Sequence, residues 1–143
     1  MEDEKSLVLI KPDGVAEKHI GDVISRLENK QIKIKALKII YATDSQLNMH
    51  YTDLKDKPFF KGLISYMKEG PIVAMVVEGL NVVAYVRQLA GATDPLKASP
   101  GTIRADFAHS SQDGIIRNIV HASDSLSSAK REIKIWFPHY KLN

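Results

Sequence analysis

Near the carboxyl end of the chain, His121, Ser123 and Glu132 offer an imidazole, a hydroxyl and a carboxylate within twelve positions. A neutral imidazole is abundant near pH 7, because its unperturbed pKa is about 6.5, and it carries a lone pair on one ring nitrogen. A hydroxyl and a carboxylate in reach of the ring would fix the tautomer and leave the other nitrogen free to attack an electrophile. Ser123, Asp124 and Ser125 have a second use as caps of the helix that follows, and the two uses take different atoms. The chain has five histidines, His19, His50, His109, His121 and His139. His121 is set apart by its place after an apolar run and before a helix start, where strand ends in layered α/β folds present chemistry.

Fixed positive charge is available at Lys11, at the turn after the first strand, at Arg87 late in a helix, and at Arg104 in an irregular stretch. Three cations converging on one pocket would hold a polyphosphate and stabilise charge as it moves. Neither a G-x-x-x-x-G-K-[ST] loop nor the G-x-G-x-x-G loop of protein kinases is present, so those phosphate-binding designs are disfavoured. Phe59 is the aromatic residue that its helix can spare from the core, and an exposed ring offers any base a stacking surface. H-E-x-x-H and EF-hand spacings are absent, so a metal is expected to arrive with the substrate, as magnesium held by phosphate oxygens. There is no cysteine, which excludes disulfides and thiolate chemistry. A net charge of +3 and a pI near 9.0 suit an anionic ligand but do not by themselves argue for nucleic acid.

These groups need a scaffold. The apolar runs at 6–10 and 72–77 predict central strands buried on both faces. Ile32, Ile34 and Ala36 alternate with Lys33 and Lys35 and predict a strand with one solvated face, running to about Tyr41. Helical spacing predicts amphipathic helices over 18–29, from Pro58 to the break at Gly70-Pro71 (stripe Phe60, Leu63, Ile64, Met67), over 81–90, and after Asp124 or Ser125 (stripe Leu126, Ala129, Ile133, Trp136). Thr43 or Asp44 caps a short helix that leads to His50 and Tyr51. Lys11-Pro12-Asp13-Gly14 reads as a turn, Glu78-Gly79 as a strand break, 91–113 as a long irregular loop, and 115–120 as the last strand. The order β-α-β-αα-β-α-β-α gives an α+β fold: a βαββαβ frame with an antiparallel four-stranded sheet, covering helices and a helical hairpin added between strands two and three. A length of 143 residues fits a single domain.

The chain resembles the nucleoside diphosphate kinases over nearly its whole length. The shared runs are Ile-Lys-Pro-Asp-Gly-Val at 10–15, His-Tyr-Thr-Asp-Leu-Lys at 50–55 and Lys-Pro-Phe-Phe at 57–60. They continue with Gly-Pro-Ile-Val-Ala-Met-Val at 70–76, Glu-Gly-Leu-Asn-Val-Val at 78–83, Pro-Gly-Thr-Ile-Arg-Ala-Asp-Phe at 100–107 and Arg-Asn-Ile-Val-His-Ala-Ser-Asp-Ser at 117–125. The resemblance implies a ferredoxin-like fold and ping-pong transfer of a γ-phosphoryl group from a nucleoside triphosphate to a nucleoside diphosphate through phosphohistidine. It makes His121 the phosphorylated residue, with Ser123 and Glu132 orienting it and Tyr51 beside it. Lys11, Arg87, Thr93, Arg104 and Asn118 are implied to contact phosphates and sugar, and Phe59 the base. It further implies magnesium on the phosphates and a homo-oligomer, hexamer before tetramer.

Two small departures stand out: Ala105 and Ala122 replace common glycines, which is costly where the backbone φ is positive. The segment 108–114 is longer than in many members, leaving Ile115 and Ile116 as alternatives for the second wall of the base pocket. A nucleic-acid module of this fold would carry aromatics on its third strand, where this chain has Pro-Ile-Val-Ala-Met-Val-Val at 71–77, so nucleic acid is not expected as the primary partner. A protein-dependent phosphocarrier would not need Phe59, Asn118 and three cations around one histidine. The amino terminus lacks the pattern of a secretory leader and no run is long enough to span a bilayer, so a cytoplasmic protein without membrane contact is expected.

Overall fold

The computed structural model describes residues 3–142. Its strands are β1 (Asp3–Ile10), β2 (Lys33–Ile40), β3 (Ile72–Leu80) and β4 (Val120–Ala122). They form one sheet in the order β2-β3-β1-β4, with every neighbouring pair antiparallel. The helices are α1 (Pro12–Ala16), α2 (Ile20–Glu28), α3 (Asp44–His50), α4 (Phe60–Met67), α5 (Val82–Ala90), α6 (Ile103–Phe107) and α7 (Leu126–Trp136). Single 3₁₀ turns lie at Thr52–Leu54 and Pro95–Lys97. This is the βαββαβ frame, with α3 and α4 as the inserted hairpin.

Alternation along the central strands divides the core in two. Val8 and Ile10 of β1 and Val73, Met75 and Val77 of β3 pack with Val23 and Leu27 of α2 and Val82 and Val86 of α5. Leu7, Leu9, Ile72, Ala74 and Val76 face the other way, against Leu47, Met67, Ile133 and Trp136 of α3, α4 and α7. Both faces are covered, which is why these strands read as unbroken apolar runs. Each fully buried aliphatic side chain contributes roughly 1.5–3 kcal/mol, so the two central strands anchor everything attached to their ends.

Several expectations change on this frame. Lys11-Pro12-Asp13-Gly14 opens a short helix, with Pro12 in its first turn, rather than a simple turn. Pro58 precedes α4, whose cap position is Phe59, and Tyr66 on that helix is fully buried. Glu78 and Gly79 continue β3 because β1 begins at Asp3 and pairs with them. The irregular stretch contains α6, capped by the Thr102 hydroxyl on the Ala105 N–H. The last strand is three residues long and includes His121, whereas residues 115–118 form a loop. On α7, Leu126 is 49% exposed and leaves the stripe to Ala129, Ile133 and Trp136.

The alternation in β2 also fails at one point. The register slips between Ile34 and Ala36, so Lys35 is an extra residue. Ile34 lies against the α2 side and Ala36 against the α4 side. Beyond the bulge Leu37 and Ile39 are 46% and 60% exposed, and Tyr41 follows at 74%. The solvated face of this edge strand is therefore apolar along half its length. Ala105 and Ala122 both lie outside the residues with positive φ, so neither replacement carries the strain a glycine would have relieved. Among the described residues no helix is long and apolar enough to cross a membrane.

Candidate active site

His121 sits at the centre of β4, paired with Leu9 of β1. Its neighbours Val120 and Ala122 turn toward the α5 side, so its ring points toward α3 and α7. Its side chain is 18% exposed, leaving one edge open. The Nε2 atom meets Glu132 Oε1 of α7 at 2.8 Å. The Ser123 hydroxyl donates to the same oxygen at 2.7 Å. Ser123 is itself fixed, because its Oγ accepts the Leu7 N–H at 3.1 Å. Glu132 is 4% exposed, and Arg131 approaches its second oxygen at 3.7 Å. A proton on Nε2 satisfies this arrangement and leaves the Nδ1 lone pair free. Burial lowers the His121 pKa, Glu132 raises it in part, and the charges of Lys11 and Arg104 lower it again. The neutral nucleophilic form is favoured at pH 7.

Behind the ring stands a residue with no role in the sequence reading. His50, at the end of α3, is 5% exposed and meets the His121 ring edge to face, with centroids 4.4 Å apart. Its Nδ1 accepts the indole N–H of Trp136 at 3.1 Å, which requires a lone pair there. Burial, followed by the charges of His121, Lys11 and Arg131, holds its pKa well below the ordinary histidine range. His50 is thus a neutral wall tying α3 to α7. Its only sequence signal was adjacency to Tyr51, which packs on it at 4.6 Å. The Tyr51 hydroxyl is buried without a hydrogen-bond partner among the described residues. Burial and the Glu132 charge raise its pKa, so it keeps its proton and stands ready to donate.

The basic groups of the site have no ion-pair partners among the described residues. Lys11 and Arg104 are each 7% exposed, and neither they nor Arg87 forms an ion pair among the described residues. Burial first, and then the Arg104 charge, pulls the Lys11 pKa down from 10.5 to about 7, against the opposing effect of Asp13. Burial and Arg87 bring Arg104 to about 10. Buried cations without carboxylates demand an anion or neutralisation. Arg104 is held by three main-chain carbonyls: Nε on Asn118 at 3.3 Å, Nη1 on Gly91 at 2.8 Å and Nη2 on Val120 at 2.7 Å. Lys11 Nζ donates to Asn118 Oδ1 at 2.8 Å, and Asn118 Nδ2 donates to the Thr93 carbonyl at 3.0 Å. Arg87 is exposed on α5, with a long 3.5 Å contact to the Ala122 carbonyl. Lys11, Arg104, Asn118 and Thr93 are thus linked directly, Glu132 joins Ser123 to the histidine, and Tyr51 packs on His50 behind it. Phe59 stands apart, 55% exposed at the start of α4.

The chain reaches His121 through a strained turn that the sequence did not reveal. Ile119 has φ +71°, and the Val120 N–H donates to the Asn118 carbonyl at 2.7 Å. That is a γ-turn of the positive-φ form, rare for any residue and costly for a β-branched one, about 1–3 kcal/mol. Ile119 is 1% exposed.

His50, His121 and Glu132 can each bring one ligand atom within 4.8 Å of the others. The His121–Glu132 hydrogen bond already occupies that space, and Lys11 and Arg104 oppose a cation there. The donors around His121 suit phosphate oxygens better than a metal, which fits a metal carried on the ligand.

Comparison with known proteins places the whole chain in one family. The family model described as nucleoside diphosphate kinase matches residues 4–142. A nucleoside diphosphate kinase of Picrophilus torridus is 56% identical over 134 residues, covering 94% of this chain and 94% of that protein. One from Aspergillus fumigatus is 53% identical over 137 residues, covering 96% and 87%. Nucleoside diphosphate kinase B of Homo sapiens is 48% identical over 134 residues, covering 94% and 86%. With a matching model across almost the entire chain and relatives near half identity, this protein belongs to the nucleoside diphosphate kinase family.

Proposed function

We propose that His121 carries the phosphoryl group in a nucleoside diphosphate kinase reaction performed by this single-domain chain. The observation that supports this best is a neutral, carboxylate-oriented histidine beside buried cations that have no carboxylate partner. The His121 Nδ1 lone pair attacks the γ-phosphorus of a nucleoside triphosphate, forming the N–P bond as the bond to the bridging oxygen breaks. The nucleoside diphosphate departs with that electron pair. The Nε2 proton stays with the ring, and Glu132 stabilises the positive charge the ring acquires. A second nucleoside diphosphate reverses the steps, so one pocket serves donor and acceptor in turn. Such transfer depends on positioning and electrostatics more than on proton movement.

Lys11, Arg87 and Arg104 hold the phosphates in this reading, and the Tyr51 hydroxyl donates to a phosphoryl oxygen. Asn118 and Thr93 reach the sugar and phosphates. Magnesium, when carried in with the nucleotide, would supply neutralisation of part of the phosphate charge. Phe59 stacks on the base. Ile115 supplies the opposite wall, because its side chain comes within 3.9 Å of the Gly62 position, one turn along α4 from Phe59, whereas Ile116 is 52% exposed. A second copy of the chain covers the apolar edge formed by Leu37, Ile39 and Tyr41, consistent with a homo-oligomer, a hexamer before a tetramer.

The test is mass spectrometry after incubation with ATP and magnesium, with the modified residue mapped. One phosphoryl group on His121, transferable to an added nucleoside diphosphate and lost in His121→Ala, is expected. A phosphoenzyme that persists in that variant would move the reaction to another residue.

A further inference from the structure

We propose that Asp13 is a positioning residue for phosphoryl transfer, acting by clamping the strained Ile119 turn two residues before His121. The inference rests on the role given to His121 above. A β-branched residue at positive φ relaxes unless its own N–H and C=O are both held. Here both are. The Ile119 N–H donates to Asp13 Oδ2 at 3.2 Å, and the Ile119 carbonyl accepts the Lys11 N–H at 2.6 Å. Asp13 is aimed in turn by Tyr66, whose hydroxyl donates to Oδ1 at 2.6 Å. Gly14 lets the turn approach: a Cβ there would lie 3.0 Å from Ile119 Cγ2 and 3.3 Å from its carbonyl oxygen. The run Lys11-Pro12-Asp13-Gly14 is therefore a cradle shaped around Ile119.

The turn controls more than its own backbone. Reversing direction at Ile119 points the carbonyls of Asn118 and Val120 to the same side, where the Arg104 guanidinium takes both. It also presents the Asn118 amide between Lys11 Nζ and the Thr93 carbonyl. If Ile119 relaxed to negative φ, Arg104 would lose its fork, Asn118 would leave Lys11, and the start of β4 would shift beneath the imidazole. A displacement of about 1 Å in a reacting group costs on the order of 100-fold in rate.

The test compares Asp13→Ala, Asp13→Asn and Tyr66→Phe in single-turnover phosphoenzyme formation at saturating ATP and magnesium, well below each melting temperature. Asp13→Ala is expected to slow phosphorylation by about 10- to 100-fold, through the rate at saturation rather than through ATP affinity alone. Asp13→Asn keeps an oxygen for the Ile119 N–H and is expected to restore the rate to within about 3-fold of the parent. Tyr66→Phe, which frees one oxygen of Asp13, is expected to fall between them. An Ala variant that folds and phosphorylates at the parent rate overturns the proposal, as does an Asn variant no faster than Ala. Should Asp13→Ala not fold, Tyr66→Phe decides: an unchanged saturated rate overturns the proposal and a reduced one supports it. The parent protein separates the two ideas, since absence of phosphate on His121 there defeats the assignment of the nucleophile and not the clamp.

Discussion

Glu132→Gln isolates what the carboxylate charge contributes at nearly constant shape. Glu132 Oε1 receives two hydrogen bonds, from His121 Nε2 at 2.8 Å and Ser123 Oγ at 2.7 Å, and an amide oxygen can receive both. Hydrogen bonds to a charged acceptor contribute about 1.5–3 kcal/mol, against about 0.5–1.5 for a neutral one. The imidazole becomes cationic as the N–P bond forms, so the difference of roughly 1–2 kcal/mol is felt mainly in the transition state. Phosphorylation at the pH plateau should fall by about 5- to 30-fold. The pH profile should move in a way that mere loosening would not produce. Burial and the charges of Lys11 and Arg104 lower the His121 pKa, and Glu132 raises it. Removing Glu132's charge lowers that pKa further, so the acid limb should shift to lower pH while the plateau drops. Rapid-quench phosphorylation between pH 5 and 8 reads both quantities. An unchanged plateau, or an acid limb displaced to higher pH, would refute the reasoning.

Gly14→Ala should destabilise the protein by about 1–3 kcal/mol, because the new Cβ would meet Ile10 Cγ2 at 2.8 Å; calorimetry should show the melting temperature falling. Phe59→Ala should leave stability nearly unchanged, since the ring is 55% exposed, and should weaken purine and pyrimidine nucleotides alike by roughly 5- to 100-fold in equilibrium binding. Stability should fall as pH drops below about 6.5, because His50 and His121 have lowered pKa values when folded and the unfolded chain takes up protons first. Two such groups give a slope approaching about 3 kcal/mol per pH unit in denaturant titrations, and a flat or rising curve from pH 6.5 to 5 would contradict it. His109, raised by Glu17 on an exposed segment, works in the opposite sense but is screened by solvent.

What could be read from the chain follows from how each feature is encoded. The β1 and β3 runs were legible because burial on both faces leaves no polar position. The hydrogen-bonded cluster of His121, Ser123 and Glu132 was legible because its members lie close together in sequence. The γ-turn was not, because its holding contacts come from residues 106 positions away and Ile119 is an ordinary aliphatic in composition. Asp13 carried the signal of a turn, and only the fold shows that it stabilises someone else's turn. The bulge at Lys35 was hidden because apolar residues and lysine alternate regularly through it, from Ile32 to Ala36, while the strand changes face. His50 gave a single hint, its adjacency to Tyr51, and its partner Trp136 lies 86 residues away.

The low pKa of Lys11 has a consequence for how ligand and proton are coupled. At about 7, this side chain is only partly charged near neutrality. With Lys11 holding phosphates as proposed, a polyphosphate brought against it would restore the ammonium form, so nucleotide association should take up a fraction of a proton and the heat measured by calorimetry should vary with the ionisation enthalpy of the buffer. Because Arg104 is fastened to three main-chain carbonyls on two segments, its charge is held in place whether or not a ligand is bound. On that reading each turnover would cycle a fraction of a proton along with the phosphoryl group. The melting temperature rises with nucleotide concentration, since any ligand that selects the folded form stabilises it by mass action. The substrates of this protein are also part of what keeps it folded.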